Sequence, residues 1–543
     1  GYYAQDTWKF SRKITLDYGV RWDYETGWRE IHDRTAIFGP SVVNPSAGGL
    51  LGGTQYEGSG PGAHCNCSFA KNYPFAFAPR LGIAYQLSSK TVLRGGWGIV
   101  YGRTADGAYI TNTAIVGVGY NTIPFTNSYA EPAVYLQQGL QYNKADLSAA
   151  TFDPGIRPQP GTINSPPYYI DPSSGRPSRV NQWNISLQRE LSKDMVVEAA
   201  YVGNRGAWLQ GDRLQDWNGL TAAQLLTDGF DVNSATDRAV LTSRLDSSLA
   251  QSRGVKLPYA GYPTSQTVAQ SLRPYPQFGN ITSKWTALGN SWYDALQTKA
   301  TKRFSHNFDA TGSFTWQKEL SRGLDANNDV YNLAQNKYIS ASSQPLVLAI
   351  SFNYRTPAFG TNKLVRSVVR DWTFAGVARY SSGLPIQSPS AQNNLNQLLF
   401  RANGSSFANR VPGVPLFLKD LNCHCIDPNK DLVLNPAAWT DPPAGQFGTS
   451  AAYYNDFRQQ RRPSEQVGFG RIFQIREGMS FQLRAEFFNV FNRTEMATPS
   501  AGNALQSTVR NSAGVPTAGF GYINSQALSS GPRSGQLIAR FQF

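Results

Sequence analysis

The chain has 543 residues and a formal net charge of +14, with 13% aromatic and 16% charged residues. Soluble domains usually carry about 25% charged residues, so this composition favours strands near a membrane or a carbohydrate-like surface. No run of about 20 apolar residues occurs, which excludes helical membrane spans but not a barrel, whose spans need only about 10 alternating residues.

The first elements along the chain are segments in which apolar and polar residues alternate. Residues 2–9 alternate imperfectly because Asp6 interrupts the apolar row, whereas residues 14–25, "ITLDYGVRWDYE", alternate strictly. Successive strand side chains point to opposite faces, so this pattern predicts a β-strand with one apolar and one polar face. Eleven further segments follow, at 80–87, 91–101, 181–191, 196–203, 292–303, 307–317, 345–355, 371–381, 467–475, 479–491 and 535–543.

The connections between these segments alternate between very short and very long. If the strands run up and down, every long loop lies at one end; these loops are about 26–77, 102–180, 204–290, 318–344, 382–466 and 492–532. Outer-membrane barrels have short periplasmic turns and long extracellular loops, whereas a soluble sandwich has no reason for this asymmetry. The predicted fold class is therefore an all-β, antiparallel, up-and-down transmembrane barrel in the outer membrane.

The predicted strand number suggests a larger parent barrel. About 13 strands are predicted, whereas bacterial single-chain barrels are built with an even number. The opening "GYYAQDTWKF" contains no secretory signal pattern. We therefore expect the N-terminal strands, plug and signal peptide to be absent, and a parent barrel of about 22 strands would need roughly nine more.

One long loop is expected to contain further secondary structure. Leu241, Leu245 and Leu249 have helical spacing behind a possible Ser234 cap, which predicts a helix over 236–252. Residues 278–288 in the same loop could form an extra strand above the membrane.

The polar rows of the predicted strands carry charges of both signs. They are interpreted as a wet lumen wall or a contact surface for a plug, and a substrate path there is possible without assignment to single residues. The predicted lumen-facing residues are Arg21, Asp23, Arg94, Glu198, Arg379, Arg484 and Glu486.

All four cysteines lie in predicted long loops. Cys65 and Cys67 form one Cys-x-Cys pair, and Cys423 and Cys425 form the other. In an exported protein they favour disulfides, either within each pair or between the two loops. The alternative is a soft-metal site that adds His64 and His424, but structural zinc sites usually have two to four residues between cysteines, so no metal is predicted.

The sequence provides no pattern for catalysis or for nucleic-acid binding. Four histidines occur without a nucleophile elbow or zinc-protease spacing, so neither an enzyme nor a cofactor is predicted. Lys and Arg are dispersed rather than clustered, which argues against a nucleic-acid partner. The net positive charge indicates a solvated, weakly basic surface or, alternatively, contact with outer-membrane lipopolysaccharide or acidic solutes.

Eight sequence blocks, in the same order as in the family, resemble the C-terminal barrel of the Oar-like branch of TonB-dependent outer-membrane receptors. They include "KTVLRGGWGIVYGR", "NSWYDALQTKATKRF", "FQLRAEFFNVFNRTEM" and the terminal "GQLIARFQF". The resemblance implies a plug and a TonB-contacting motif in the missing N-terminal part. It also implies that Gly535, Phe541 and Phe543 signal to the barrel-assembly machinery, although these residues could simply face lipid.

The leading hypothesis is an outer-membrane receptor or transporter barrel that binds an unknown extracellular ligand and takes it up by TonB-driven movement of the plug. The alternation and the loop asymmetry indicate the barrel, and the resemblance implies the energy coupling. The alternative is a surface adhesin or structural barrel without uptake.

Overall fold

The computed structural model describes residues 1–27, 36–58, 68–69, 71–103, 168–357, 363–393, 395–400, 406–527 and 531–543, together with residues 135, 137, 139 and 163. Thirteen strands follow one another in a single antiparallel sheet in chain order. They are β1 (Tyr2–Trp8), β2 (Ile14–Asp23), β3 (Ala76–Ser88), β4 (Thr91–Tyr101), β5 (Arg179–Ser192), β6 (Met195–Leu209), β7 (Gly289–Ser305), β8 (Phe308–Arg322), β9 (Leu346–Arg355), β10 (Trp372–Ser381), β11 (Arg462–Arg476), β12 (Met479–Phe488) and β13 (Ser534–Gln542).

The prediction of an all-β, up-and-down antiparallel sheet is confirmed. β1 and β13 form the two edges of this sheet, and no pairing joins these two strands, all of whose residues are described. A fourteenth strand of two residues, Tyr338–Ile339, pairs with the end of β8. Closure into a barrel and a total of about 22 strands remain predictions.

The pairing register separates an apolar face from a polar face across the whole sheet. Tyr18 opposes Leu81, Leu81 opposes Trp97, and Trp97 opposes Trp183, so the apolar rows of β2 to β5 are continuous. Because side chains alternate along each strand, the polar rows are equally continuous on the other face. Most of the large apolar side chains on the apolar face are exposed in the chain by itself, Ile185 among them.

The short connections all lie at one end of the sheet, which we call the turn end, and the long loops lie at the other, the loop end. The tightest turns contain two residues; His306 and Asn307, between β7 and β8, have φ values of 51° and 61°. Two left-handed residues match the twist of a β-hairpin, and Asn tolerates this conformation better than most residues. The longer connection between β9 and β10 contains helix α5 (Lys363–Val369), the fifth α-helix along the described chain.

The loop end contains short helices and small sheets. The α-helices are α1 (Ala222–Thr227), α2 (Ala235–Thr242), α3 (Ser248–Ser252), α4 (Val268–Ser271) and α6 (Leu395–Leu399). The short strands are Ala36–Val43, Leu51–Tyr56, Tyr169–Ile170, Ser283–Lys284, Pro385–Gln387, Asn409–Arg410, Trp439–Thr440, Tyr453–Arg458, Val509–Arg510 and Pro516–Ala518. The 3₁₀ helices are Pro45–Ala47, Asp212–Leu214, Leu333–Asn336 and Pro436–Ala438. None of the helices in the described part of the chain has the length and apolar character needed to cross a membrane.

The predicted helix over 236–252 is wrong in one respect, because it is two helices. Ser234 caps α2 as predicted, accepting a hydrogen bond of 3.2 Å from the backbone N–H of Asp237. The helix stops after Thr242 because the next segment bonds elsewhere: Leu245 N–H donates to the carbonyl of Gln266 at 2.9 Å. The strand predicted within 278–288 is reduced to Ser283–Lys284, which pairs in parallel with Tyr169–Ile170.

Several strands extend beyond their predicted ends. β6 continues to Leu209, β8 continues to Arg322, and β11 already begins at Arg462, so each enters a segment predicted as loop. Beyond the apolar zone the two faces no longer need opposite polarity, so alternation fails while backbone pairing continues. Periodicity alone therefore underestimates the length of these strands.

The apolar face is predicted to contact lipid, and Ile185→Arg tests this. Ile185 lies near the middle of β5, and a basic residue at the bilayer midplane costs about 2–4 kcal/mol. We expect the full-length protein to lose about that much folding free energy, measured by urea titration in lipid vesicles. The matched variant Asn184→Arg places the same charge on the polar face and should have little effect; equal losses would contradict lipid contact.

Candidate functional site

All seven predicted lumen-facing residues lie on the polar face. The register connects their rows strand by strand: Arg94 opposes Ser186, Glu198 opposes Gln188 and Lys299, and Arg379 opposes Ala349. Arg21 and Asp23 occupy the polar row of β2, and Arg484 and Glu486 that of β12. The residues share a face but are spread over five strands, so they form a wall rather than one compact site.

Two adjacent pairs within this wall form ion pairs. Arg21 contacts Asp23 at 2.8 Å, and Arg484 contacts Glu486 at 2.8 Å. Each pair joins residues two positions apart on one strand, which therefore point to the same face. Arg379 instead donates to the side-chain oxygen of Gln344 at 3.0 Å, and so reaches the loop end. These pairs leave the wall polar, with charges of both signs.

A recess of about 310 Å³ lies at the polar wall of β8 to β12. Its lining includes Asp309, Asn353, Arg484 and Glu486, so it brings two of the predicted residues together with two that were not predicted. A glycine makes room for this arrangement, because a Cβ at Gly468 would lie 3.3 Å from the Arg484 guanidinium. The recess offers donors and acceptors to a polar ligand or to another protein segment.

The loops at the loop end have their own apolar cores. Helices α1 to α4 and α6 pack together around fully buried Leu225, Leu241 and Leu398, and we call this unit the helical cluster. Its segments come from two different long loops, because α6 lies between β10 and β11. A separate contact joins further loops: the ring of Phe38 packs edge-on against Phe278 at 5.8 Å. Described segments of different long loops therefore pack against one another.

A buried arginine, which sequence reasoning did not identify, holds the helical cluster together. Arg273 is 4% exposed and donates to the Asn218 carbonyl at 2.6 Å and to the Gln270 side chain at 3.0 Å. Its guanidinium also lies 4.7 Å from the ring centre of Phe400, beside α6. Burial lowers the pKa of Arg273 to about 10. A single Arg in a loop gives no sequence signal, because Asn218 and Phe400 lie far from it along the chain.

The two C-terminal long loops share another core, the second loop cluster. Phe457, Val433 and Leu434 are fully buried there and pack with Phe520 and Ile523. Beside this core lies a cavity of about 510 Å³, whose lining includes His424, Gln460, Arg493 and Met496. This cavity combines apolar surface with polar and charged groups, as ligand pockets generally do.

One carboxylate on the apolar face was not identified from the sequence. Glu465 opposes Ala378 in the apolar row, yet its side chain is only 4% exposed, because Arg493 covers it with an ion pair of 2.8 Å. The Arg493 guanidinium in turn lies over the Phe491 ring. Pairing with Arg makes a carboxylate tolerable in this position. Alternation did not reveal Glu465, since this residue precedes the segment predicted as strand.

The structure places a disulfide between Cys423 and Cys425 in the second loop cluster. His424 between them adopts a left-handed conformation, with a φ of 53°. The structure leaves no cysteine free among the described residues, and no group of three or more potential metal-ligating side chains occurs among them. Cys65, Cys67 and His64 lie outside the described residues.

The terminal aromatic residues lie along the free edge of the sheet. Gly535 opposes Phe487, and Phe541 opposes Phe481, so both belong to the apolar row of β13. Phe543 is 93% exposed and its ring centre lies 6.1 Å from that of Phe541. The three residues predicted to signal barrel assembly are thus all exposed at this edge.

Residues 1–536 match the protein family described as outer membrane beta barrel domain. Because this match covers nearly the whole chain, the chain belongs to that family, and its location is the outer membrane. The turn end is accordingly the periplasmic end expected for such proteins, and the loop end the extracellular one. No curated protein matches the chain.

Several solved structures are similar in fold. A variant of the ferric enterobactin receptor from Pseudomonas aeruginosa has 10% identity and a TM-score of 0.41, with 99% of this chain and 44% of that chain covered. The ferric yersiniabactin uptake receptor from Yersinia pestis has 10% identity and a TM-score of 0.38, with 100% and 45% covered. Copper transporter OprC has 9% identity and a TM-score of 0.37, with 100% and 47% covered. The chain thus spans less than half the length of these proteins.

Leu241→Ala tests whether the helical cluster is a folded unit. Leu241 is fully buried in its core, and truncating a buried Leu costs about 2–5 kcal/mol. We expect faster cleavage of the loop between β6 and β7 by protease added to intact cells, with the membrane sheet unaffected. Leu226→Ala, at a residue 64% exposed on α1, is the matched control. Equal cleavage of both variants would argue against a shared core.

Peptide mapping under non-reducing conditions tests the cysteine pairing. Trypsin should release residues 420–430, "DLNCHCIDPNK", which contain both Cys423 and Cys425. If they pair with each other, this peptide appears alone with the mass of its oxidised form. A disulfide-linked pair of peptides containing Cys65 or Cys67 would instead show that the bond joins the two loops.

Proposed function

We propose that this chain forms part of the barrel of a TonB-dependent outer-membrane receptor. The receptor binds an extracellular ligand at its folded loops and imports this ligand. The observation that supports this most directly is that a polar wall occurs together with a loop end that is folded and contains a cavity. The wall extends from Arg21 on β2 to Glu486 on β12 without interruption by an apolar row. A solute bound among the loops would meet this polar face on its way inward.

The remaining parts of the proposal rest on the sequence resemblance. The resembling blocks belong to receptors with a barrel of about 22 strands, the size that encloses a plug. We propose that the recess beside Arg484 and Glu486 contacts such a plug or the moving ligand. We also propose that the TonB system acts through an N-terminal part of the protein and that Gly535, Phe541 and Phe543 are recognised by the barrel-assembly machinery.

The function is tested by comparing the solutes that cells remove from a complex medium. Four strains are needed: wild type, a deletion of the gene, the deletion complemented with the full-length gene, and a strain without functional TonB. We expect mass spectrometry to find a compound that wild-type and complemented cells deplete and that both other strains leave in the medium. Loss of attachment in the deletion strain, with no such compound, would favour the adhesin alternative and contradict uptake.

A variant of the polar wall tests the path of the ligand. Arg484→Gln combined with Glu486→Gln removes the ion pair while keeping similar side-chain size. We expect uptake of the depleted compound to slow about two- to fivefold, because exposed charged groups contribute up to about 1 kcal/mol. Gln482→Ala, on the same row of β12, is the control. Unchanged uptake in the double variant would place the path elsewhere.

A further inference from the structure

The extracellular end of the apolar face carries cationic side chains stacked on indole rings. These contacts occupy neighbouring strands, β5 to β7, and a loop directly above them. They are Arg205 over Trp183 at 5.2 Å and Lys337 over Trp292 at 4.1 Å. Such contacts orient the cations over aromatic faces at the edge of the membrane zone.

The register places this group outside the barrel wall rather than inside it. Trp183 opposes Trp97 in the apolar row, Trp292 opposes Arg205, and Lys318 opposes Asp294. All of these positions continue the row that contains Ile185 and therefore face away from the polar wall. The cations thus stand at the level where the outer leaflet meets water.

A cavity of about 680 Å³ opens at this place. It lies where β7 and β8 meet the segments at 337–345 and 451–455. Its apolar lining includes Leu296 and Trp316, of which Trp316 is 61% exposed, and its basic lining consists of Lys318 and Lys337. The cavity therefore offers an apolar surface and a cationic surface side by side, which suits an amphipathic anion.

The described lining of this cavity carries more positive than negative side chains. Asp294 is the one carboxylate among its described lining residues, and it is engaged by Arg205 at 2.9 Å and by the Tyr201 hydroxyl at 2.7 Å. Neither Lys318 nor Lys337 has an ion-pair partner within 4.0 Å among the residues that the structure describes. Two exposed ammonium groups therefore remain available to an external anion.

The described residues at the same level of β1 to β3 show a different pattern. On β1 to β3 the apolar row ends in stacked aromatic residues, Tyr2, Trp22 and Phe77, and the basic residues of these strands, Arg21 and Arg80, face the other way. An aromatic belt alone is the ordinary interface signature of an outer-membrane barrel. The cations on β5 to β8 are therefore an addition to that belt, which β1 to β3 do not share.

We propose that this sector binds a phosphorylated glycolipid of the outer leaflet, with its phosphates on Lys318 and Lys337 and its acyl chains along Leu296 and Trp316. Lysine serves as a point-charge ligand for phosphate, and surface cations draw anionic lipid headgroups to a protein. This inference narrows the lipopolysaccharide contact expected from the net charge to one site. It requires the outer-membrane location but not the uptake function.

The test uses the full-length protein, purified and stripped of lipid, and measures retained lipid by native mass spectrometry. The probes are bisphosphorylated lipid A, the same lipid without phosphates, and inorganic phosphate as competitor. We expect Lys318→Gln with Lys337→Gln to bind bisphosphorylated lipid A about 30-fold more weakly, the loss expected for two surface cations. Wild-type protein should bind the dephosphorylated lipid about as weakly as the Gln double variant binds bisphosphorylated lipid A.

Two matched variants separate charge from folding. Lys318→Arg with Lys337→Arg keeps both charges and should retain the lipid, whereas Lys299→Gln removes a charge from the polar row of β7 and should leave lipid retention unchanged. Equal retention by the Gln double variant, or by the dephosphorylated lipid, would overturn the proposal. Complete displacement by millimolar inorganic phosphate would assign the site to free phosphate instead. Solute uptake by the Gln double variant should be normal, so this result is independent of the transport test.

Discussion

Everything in this protein depends on the period of two that the β-ladder imposes on side-chain direction. The pairing register across the thirteen strands keeps apolar residues opposite apolar residues. Tyr18, Leu81, Trp97 and Trp183 therefore share a face. A slip of one residue in any pairing would move a polar row into lipid and an apolar row into water. The cost of burying unpaired polar groups in hydrocarbon makes this register strongly specified.

Outside the membrane the constraint changes, and so does the architecture. The strands extend past the apolar zone, and the loops above them build two clusters with ordinary soluble cores around Leu241 and Phe457. Arg273 shows how these clusters join distant segments, since it bonds to Asn218 and packs over Phe400. The described segments of these loops are therefore folded, as the ligand recognition that we propose at the cell surface requires.

The two faces serve different partners in this arrangement. The polar wall, with its ion pairs at Arg21 and Arg484, is suited to water, a plug or a passing solute. The apolar face needs only lipid over most of its height, but near the loop end it also carries Lys318 and Lys337 beside exposed Trp316. Because this cationic sector lies on the apolar face and away from the polar wall, the proposed headgroup of the outer leaflet accounts for it better than a solute that passes along the wall.

The sequence by itself determined the fold class, the faces of the strands and the asymmetry of turns and loops, because period-two alternation is local and survives in the printed residues. The location in the outer membrane followed from the same pattern. The tertiary structure alone decided where strands end beyond the membrane, how the helix behind Ser234 breaks at Ser243, and which loops pack together. Only the tertiary structure shows that Arg493 covers Glu465 and that basic residues line one cavity. Those outcomes depend on contacts between residues far apart in the chain, for which no local spacing is a signal.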